Sequence, residues 1–183
     1  MEYSKPDLTK LGLEKLFSIF EDFKIETLKN DDETSRENES SVILYANFDN
    51  RGILLTGDAG NEALQKAYNF SNKELKIDIS NNLKFIQIPH HGSRRNVSPK
   101  ILNQIIGAIG EKEKESITAF VSAGENDTNH PRKVVTNAFI RRGCNVIETK
   151  GSTKHHYHPS MSKRKGWTTA TPTPFYNKVE SYE

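Results

Sequence analysis

Cysteine is almost missing from this chain: Cys144 is the only one in 183 residues. A single cysteine excludes an internal disulfide and makes a cytoplasmic setting the default expectation. Its simplest role is a small buried apolar residue at the start of a strand. Long apolar runs are missing too. None approaches the roughly 20 residues needed to span a bilayer, so no membrane segment is expected. The opening Met1-Glu2-Tyr3-Ser4-Lys5-Pro6 lacks both the basic start and the apolar core of a secretory signal. Charge of one sign is also lacking. With 26 Lys and Arg against 24 Asp and Glu, the net charge of +2 is too mild to imply nucleic-acid binding by itself. Finally, no histidine precedes His90, although the chain has 6.

What remains is a soluble globular balance on the polar side, 34% hydrophobic and 27% charged, long enough for one domain with a buried core. From Leu8 to about Leu28, apolar residues at Leu13, Leu16, Phe17, Phe20 and Phe23 recur at spacings of three and four. The pattern predicts an amphipathic helix packed on a sheet. Residues 30–40 are nearly devoid of apolar side chains and read as an acidic, solvated linker. From Val42 to Glu148 strand and helix patterns alternate. A hairpin (Val42 to Phe48, a turn over Asp49-Asn50-Arg51-Gly52, Ile53 to Thr56) leads into a helix from Gly60 to Tyr68. Then follow a strand from Leu83 to Ile88 stopped by Pro89, and a helix opened by Ser98-Pro99 and running through Ile106. A strand from Ile117 to Ser122, a helix from Pro131 to Arg142 closed by Gly143, and a strand from Cys144 to Glu148 complete the run. This is the signature of an α/β layered domain. The tail from Lys150 onward carries no assigned element. Its His155, His156 and His158 and its Lys163-Arg164-Lys165 run read as solvated, with Trp167 and Phe175 packing against the domain.

Three places carry chemistry. Leu54-Leu55-Thr56-Gly57-Asp58 is an apolar run ending in a carboxylate. Ile86-Gln87-Ile88-Pro89-His90-His91-Gly92-Ser93 is another, ending in paired imidazoles. Strands that finish side by side in Asp58 and a histidine pair would set metal-ligand side chains at one sheet edge, as a Zn²⁺-type hydrolytic site needs. One imidazole would hold metal while the other donates to a substrate oxygen. Ser93 and Arg94-Arg95 would then hold a phosphate. The third place is Ser122-Ala123-Gly124-Glu125-Asn126 with His130-Pro131, a strand end leading to a helix N-terminus that favours an anion. Each has a plain alternative: a turn after a strand, a polar loop with adjoining histidines, surface arginines, a helix cap with an incidental histidine.

Taken in order, these segments resemble the second half of metallo-β-lactamase-fold hydrolases, nearest in kind to the soluble domain of ComEC-type competence proteins and their stand-alone relatives. The resemblance covers roughly Ser41 to Lys150. It implies an αββα sandwich, one or two bound ions (Zn²⁺, with Mn²⁺ as an alternative), and hydrolysis, often of a phosphodiester. By that resemblance Asp58 is the bridging ligand, one of His90 and His91 a metal ligand and the other a phosphate contact, with His91 preferred on the metal. Ser122, Asn126 and His130 fall near the substrate. The family also carries a His-x-His-x-Asp-His segment in its first half, and nothing here matches it. The expectation is therefore the C-terminal half of the sandwich (41–150), between an N-terminal helix (1–29), a linker (30–40) and a basic tail (151–183). It would act as a partial metal-dependent hydrolase with a complementary N-terminal half or as a homo-oligomer, on a phosphodiester or nucleic-acid substrate. The alternative is a non-catalytic interaction or regulatory remnant.

Overall fold

The computed structural model describes residues 18–30, 33–113 and 116–181. Its centre is a five-stranded mixed sheet in the order β2-β3-β4-β5-β6. These strands are β2 (Leu44–Phe48), β3 (Arg51–Leu55), β4 (Leu83–Gln87), β5 (Ile117–Val121) and β6 (Cys144–Glu148). The β2–β3 pair is antiparallel and turns through Asp49 and Asn50, both at positive φ (50° and 62°), a conformation these two residue types tolerate. From β3 onward the ladder is parallel. The crossovers run through α2 (Asn61–Lys73) and the single turn α3 (Ile79–Asn82), then α4 (Pro99–Ile105), then α5 (Lys133–Arg141). Successive parallel strands lying side by side place all the crossovers on one face, and α2, α4 and α5 pack there against one another.

The row Tyr45, Leu54, Ile86, Ala119, Val146 runs across the five strands in register on the helix side. It joins Ile101, Leu102, Val134, Val135 and Phe139 in one continuous core. Cys144 lies in it as expected, and burial pushes its thiol up to about 12. The opposite row, Ala46, Ile53, Phe85, Thr118, Asn145, faces away from the helices. On that outer face Leu44 and Phe48 are exposed, while His156 of the tail rests on Phe85 at 4.9 Å between ring centroids. The chain's own tail thus rests on part of the outer face, over Phe85 and Phe120.

The predicted N-terminal helix is corrected over the part described. Ser18–Phe20 is a strand, β1, paired antiparallel with β7 (Lys178–Glu180), a strand the sequence did not announce; residues 1–17 lie outside the described residues. A tertiary bond network overrides the helical spacing. Glu21 is fully buried and accepts from Arg141 Nη1 (3.1 Å), Asn137 Nδ2 (2.7 Å), and the Thr27 N–H and hydroxyl (2.8 and 2.6 Å). Arg141 also donates to the Asp22 and Ile25 carbonyls. Asn137 takes both the N–H and the carbonyl of Tyr176, tying the C-terminal segment to the same helix. A helix through 18–28 would consume these backbone groups internally. The acidic linker is corrected as well. Ser35 caps a short helix, α1 (Arg36–Glu39), whose Glu39 carboxylate accepts from the first N–H groups of α2, at Glu62 and Ala63. One carboxylate of the segment, Glu39, thus serves the N-terminus of the following helix. The α2 helix outruns the predicted Tyr68 by more than a turn, stopping where Ser71 Oγ bonds the Ile77 carbonyl and Lys76 turns to positive φ.

Two outcomes follow. Glu21→Ala leaves the Arg141 guanidinium buried without its carboxylate and is expected to cost about 3–5 kcal/mol in urea denaturation; a loss below about 1 kcal/mol would mean the network is incidental. Cys144 is neutral when folded up to about pH 12 but ionises from about 9.0 when unfolded. The unfolded state therefore holds fewer protons in that window, and the Cys144 contribution to stability is present below pH 9.0 and is lost as pH rises towards 12. Below pH 9.0 the native thiol should resist Ellman's reagent until denaturant is added.

Candidate functional site at the carboxyl edge of the sheet

The parallel strands β3, β4 and β5 all end at one edge, and each releases one of the sequence-predicted segments there. After β3 the chain turns through Gly57 at φ 55° and presents Asp58, exposed. After β4, Pro89 ends the ladder, and His90, His91 and Gly92 follow at φ 43°, 55° and 79°. Left-handed conformation costs a non-glycine residue about 1–2 kcal/mol, and two consecutive histidines hold it here. Gly92 is required at its position: a Cβ would lie 2.5 Å from Pro131 Cβ. The loops are stitched to one another by backbone bonds, His90 N–H to the Gly57 carbonyl and Arg132 N–H to the Gly92 carbonyl, both 3.1 Å.

The state of each imidazole follows from its partners. Asn96 is buried and its Nδ2 donates to the Asp58 and Ala59 carbonyls (2.8 and 3.3 Å), which fixes its amide orientation. Its Oδ1 lies 3.1 Å from His90 Nδ1 and calls for a proton there. Asn38 Nδ2, from α1, lies 2.9 Å from the same nitrogen and calls for its lone pair, so His90 is held between two amides. His91 Nδ1–H donates to the Ser122 carbonyl at 2.7 Å. His91 thus carries its proton on Nδ1 and keeps the Nε2 lone pair, the tautomer a metal-binding histidine needs when its other nitrogen is held by a carbonyl. The two rings lie 5.7 Å apart, and His130 is 6.5 Å beyond His91. Asp127 accepts from His130 Nδ1 (3.1 Å) and from the Asn129 and His130 N–H groups. Those bonds, the one from Asn129 foremost, hold its carboxyl below the usual range. Asn96 and Asp127 escaped the sequence reading. Asp127-x-x-His130 is a visible spacing, but nothing in the sequence marks Asn96 as the clamp between two loops.

The residues assigned to substrate fare differently. His130 joins the imidazole group, and Ser122 holds His91 through its carbonyl. Ser93 closes the histidine turn by donating its N–H to the His90 carbonyl (2.9 Å). Arg94 donates to the Ser181 carbonyl (2.6 Å) and so secures the C-terminal segment. Asn126 stands exposed in the loop after β5. The helix N-terminus expected to attract an outside anion is already taken: the Glu180 carboxylate accepts from the Lys133 and Val134 N–H groups of α5 (3.0 and 3.4 Å). β7 brings it there, which is why the sequence alone gave no warning.

For a metal ion, Asp58, His90 and His91 are donors of the right chemistry, but among the described residues no three His, Cys, Asp or Glu side chains converge on one ion. The edge offers two oriented imidazoles and a carboxylate without completing a zinc site, which takes about three protein ligands and a water. Long-range ¹H–¹⁵N spectra are expected to show His91 as the Nδ1–H tautomer, and Asn96→Ala, which leaves Asn38 Nδ2 on His90 Nδ1, to favour the Nε2–H form at His90 while sparing His91. An Nε2–H tautomer at His91 would disqualify it as a ligand in this geometry.

The chain is similar to ComE operon protein 3 of Bacillus subtilis (strain 168), 27% identical over 125 residues, a match that covers 66% of this chain and 14% of that protein. It thus spans a small part of the relative's length. No protein-family model matches it, and no solved structure does. Among the described residues no helix is long and apolar enough to cross a membrane.

Proposed function

We propose that the carboxyl edge of the sheet is one part of a metal-dependent phosphodiester-hydrolase site. The pair of imidazoles carries this reading. Two neighbouring histidines sit in a costly backbone conformation with both Nδ1 atoms held by hydrogen-bond partners and the Nε2 lone pair of His91 kept, beside an exposed carboxylate with no bond to another described side chain. A turn of purely structural purpose has no use for that arrangement. The likeness to ComE operon protein 3 agrees with the resemblance of the Gly57-Asp58, Pro89-His90-His91-Gly92-Ser93 and Ser122-to-Pro131 segments to ComEC-type soluble domains. A half of a metallo-β-lactamase-like sandwich is the architecture this reading implies, its helix-free sheet face meeting the complementary half or a second copy. The ions in question, zinc or manganese, supply Lewis-acid activation of water and of the phosphoryl group. This chain's own part is to orient His90 through Asn96, to orient His91 through the Ser122 carbonyl, and to place the Asp58 carboxylate and the Asp127-held His130 around them.

The remnant reading has its own support, since no three donors converge among the described residues. Elemental analysis of the purified, tag-free chain separates the two. Near one zinc or manganese per chain, lost in Asp58→Ala and in His91→Ala, is the expected result. Metal content that is negligible, or unchanged in both variants, would leave the non-catalytic reading in its place.

A further inference from the structure

The chain treats the two edges of its central sheet differently. At β6 the tail closes the edge: Thr173 donates its N–H to the Val146 carbonyl (2.8 Å) and its hydroxyl to the Glu148 carboxylate (3.0 Å). At β2 nothing among the described residues does so. The two-residue turn over Asp49 and Asn50 makes Phe48 and Arg51 a hydrogen-bonded pair, so by alternation Phe48, Ala46 and Leu44 bond to β3. Ile43, Tyr45 and Asn47 then direct their N–H and C=O groups outward, where no described residue bonds them.

An open edge is ordinarily protected by lysines, a proline, a bulge or a covering segment. β2 has none of these. Its ladder with β3 keeps one register from Leu44 to Phe48, and from Ser40 to Phe48 the chain has neither a charged residue nor a proline. Val42, Leu44 and Phe48 are 73%, 58% and 64% exposed and share the outer side of the strand with Ala46. Without charge, the strand gains nothing from an oppositely charged partner, and two identical strands lose nothing by meeting.

The strand is also complementary to itself. Antiparallel pairing about a two-fold axis at Tyr45 sets Tyr45 against Tyr45 and Ile43 against Asn47, so each outward group of one copy meets an outward group of the other. In the same register Leu44 faces Ala46 and Val42 faces Phe48, which continues the apolar row of the outer side across the axis. The nearest charge, Asp49, faces Ser41. Pairing ends there because the Ser41 N–H is already bonded to the Asn38 carbonyl (3.1 Å) and Asp49 begins the turn. With β6 closed by the tail, pairing at β2 uses the remaining edge of each central sheet, and assembly stops at two copies.

We propose that the chain forms a two-fold dimer in which the β2 strands of two copies pair antiparallel about Tyr45, joining both central sheets into one. β3 of one copy then runs opposite to β3 of the other, so the two carboxyl edges face opposite ends and neither copy completes the other's site. None of the carboxyl-edge residues takes part, so the dimer and the hydrolase reading stand or fall separately.

Sedimentation equilibrium of the full chain over a wide concentration range should show the 20.8 kDa monomer giving way to a species of twice that mass. Amide hydrogen exchange, read residue by residue, should slow by about tenfold or more at Ile43, Tyr45 and Asn47 in the concentrated chain. The Leu44, Ala46 and Phe48 amides should be protected at every concentration, because β3 holds them. Leu44→Lys should stay monomeric, with the melting temperature of the dilute parent. Oxidised Leu44→Cys/Ala46→Cys should form a covalent dimer, since a non-hydrogen-bonded antiparallel pair brings Cα atoms to about 4.5 Å, within reach of a disulfide. Neither single cysteine variant should do so. A monomer at every concentration, a dimer unmoved by Leu44→Lys, or failure of the double variant to cross-link would each overturn the proposal. So would a dimer whose Tyr45 amide exchanges as in the dilute chain, an outcome that would place the contact on the outer face. Asp58→Ala and His91→Ala should dimerise as the parent does, and their metal content bears on the hydrolase reading alone.

Discussion

The Glu21 carboxylate, buried against Arg141 and Asn137, is the constraint from which the outer parts of the structure hang. A buried ion pair gains little net stability unless its remaining lone pairs and N–H groups are also bonded. Here Thr27 takes the rest of Glu21, and the Asp22 and Ile25 carbonyls take the rest of Arg141. The next residue of α5's end repeats the arrangement: Arg142 holds Glu26 with both Nη atoms (2.7 and 3.0 Å) and bonds Asn103 through Nε. Two successive arginines thus fasten the whole 21–26 segment to the helix layer. Asn137 adds the C-terminal segment, so that β1 and β7 meet and form their small ribbon beside α5. Phe23 stacking on Phe175, with Arg141 over the latter ring, seals the same junction.

That anchoring has consequences at the sheet edge. By fixing β7, it brings Glu180 onto the N-terminus of α5, beside the His130-to-Arg132 loop. A corresponding role falls to Glu39 at the start of α2. Both helix ends that would otherwise attract an external anion are therefore neutralised from within, and the histidine turn lies between them. Asn96 couples the Asp58 turn to His90, and the Ser122 carbonyl couples β5 to His91. The imidazole tautomers are consequently a property of the loop packing and not of the histidines alone.

The two faces of the sheet have opposite fates. The helix side is closed by a continuous apolar core. The outer side is apolar along β2, where Leu44 and Phe48 meet solvent, and basic under the tail. Exposed apolar side chains on one face are characteristic of an interaction surface; Leu44 lies beside Leu55 at the carboxyl end of β3, and Phe48 beside Arg51 at its amino end.

Much of the domain was legible in the residues. Pro89 and Gly143 stop their elements for local reasons, Ser98-Pro99 opens a helix by supplying a cap and a preset φ, and alternation of period two separates the inner row of the sheet from the outer. The α/β class and the meeting of Asp58, His90 and His91 at one edge follow from such local chemistry, because parallel strands in sequential order must end together. What local chemistry could not decide was anything settled by a partner far along the chain. The three-residue spacing of Phe17, Phe20 and Phe23 suits a helix, and the bonds of Glu21 together with the pairing to β7 override it at Ser18–Phe20. Glu39 looks solvated until the α2 N-terminus is placed beside it. The tail's charges look dispersed until the outer sheet face gathers them. Sequence alone determined which segments are strands and helices in the sheet domain and which side chains bear metal-ligand chemistry. Only the tertiary structure decided which charges are buried, capped or left exposed, because those outcomes depend on distances between residues that the chain brings together only when folded.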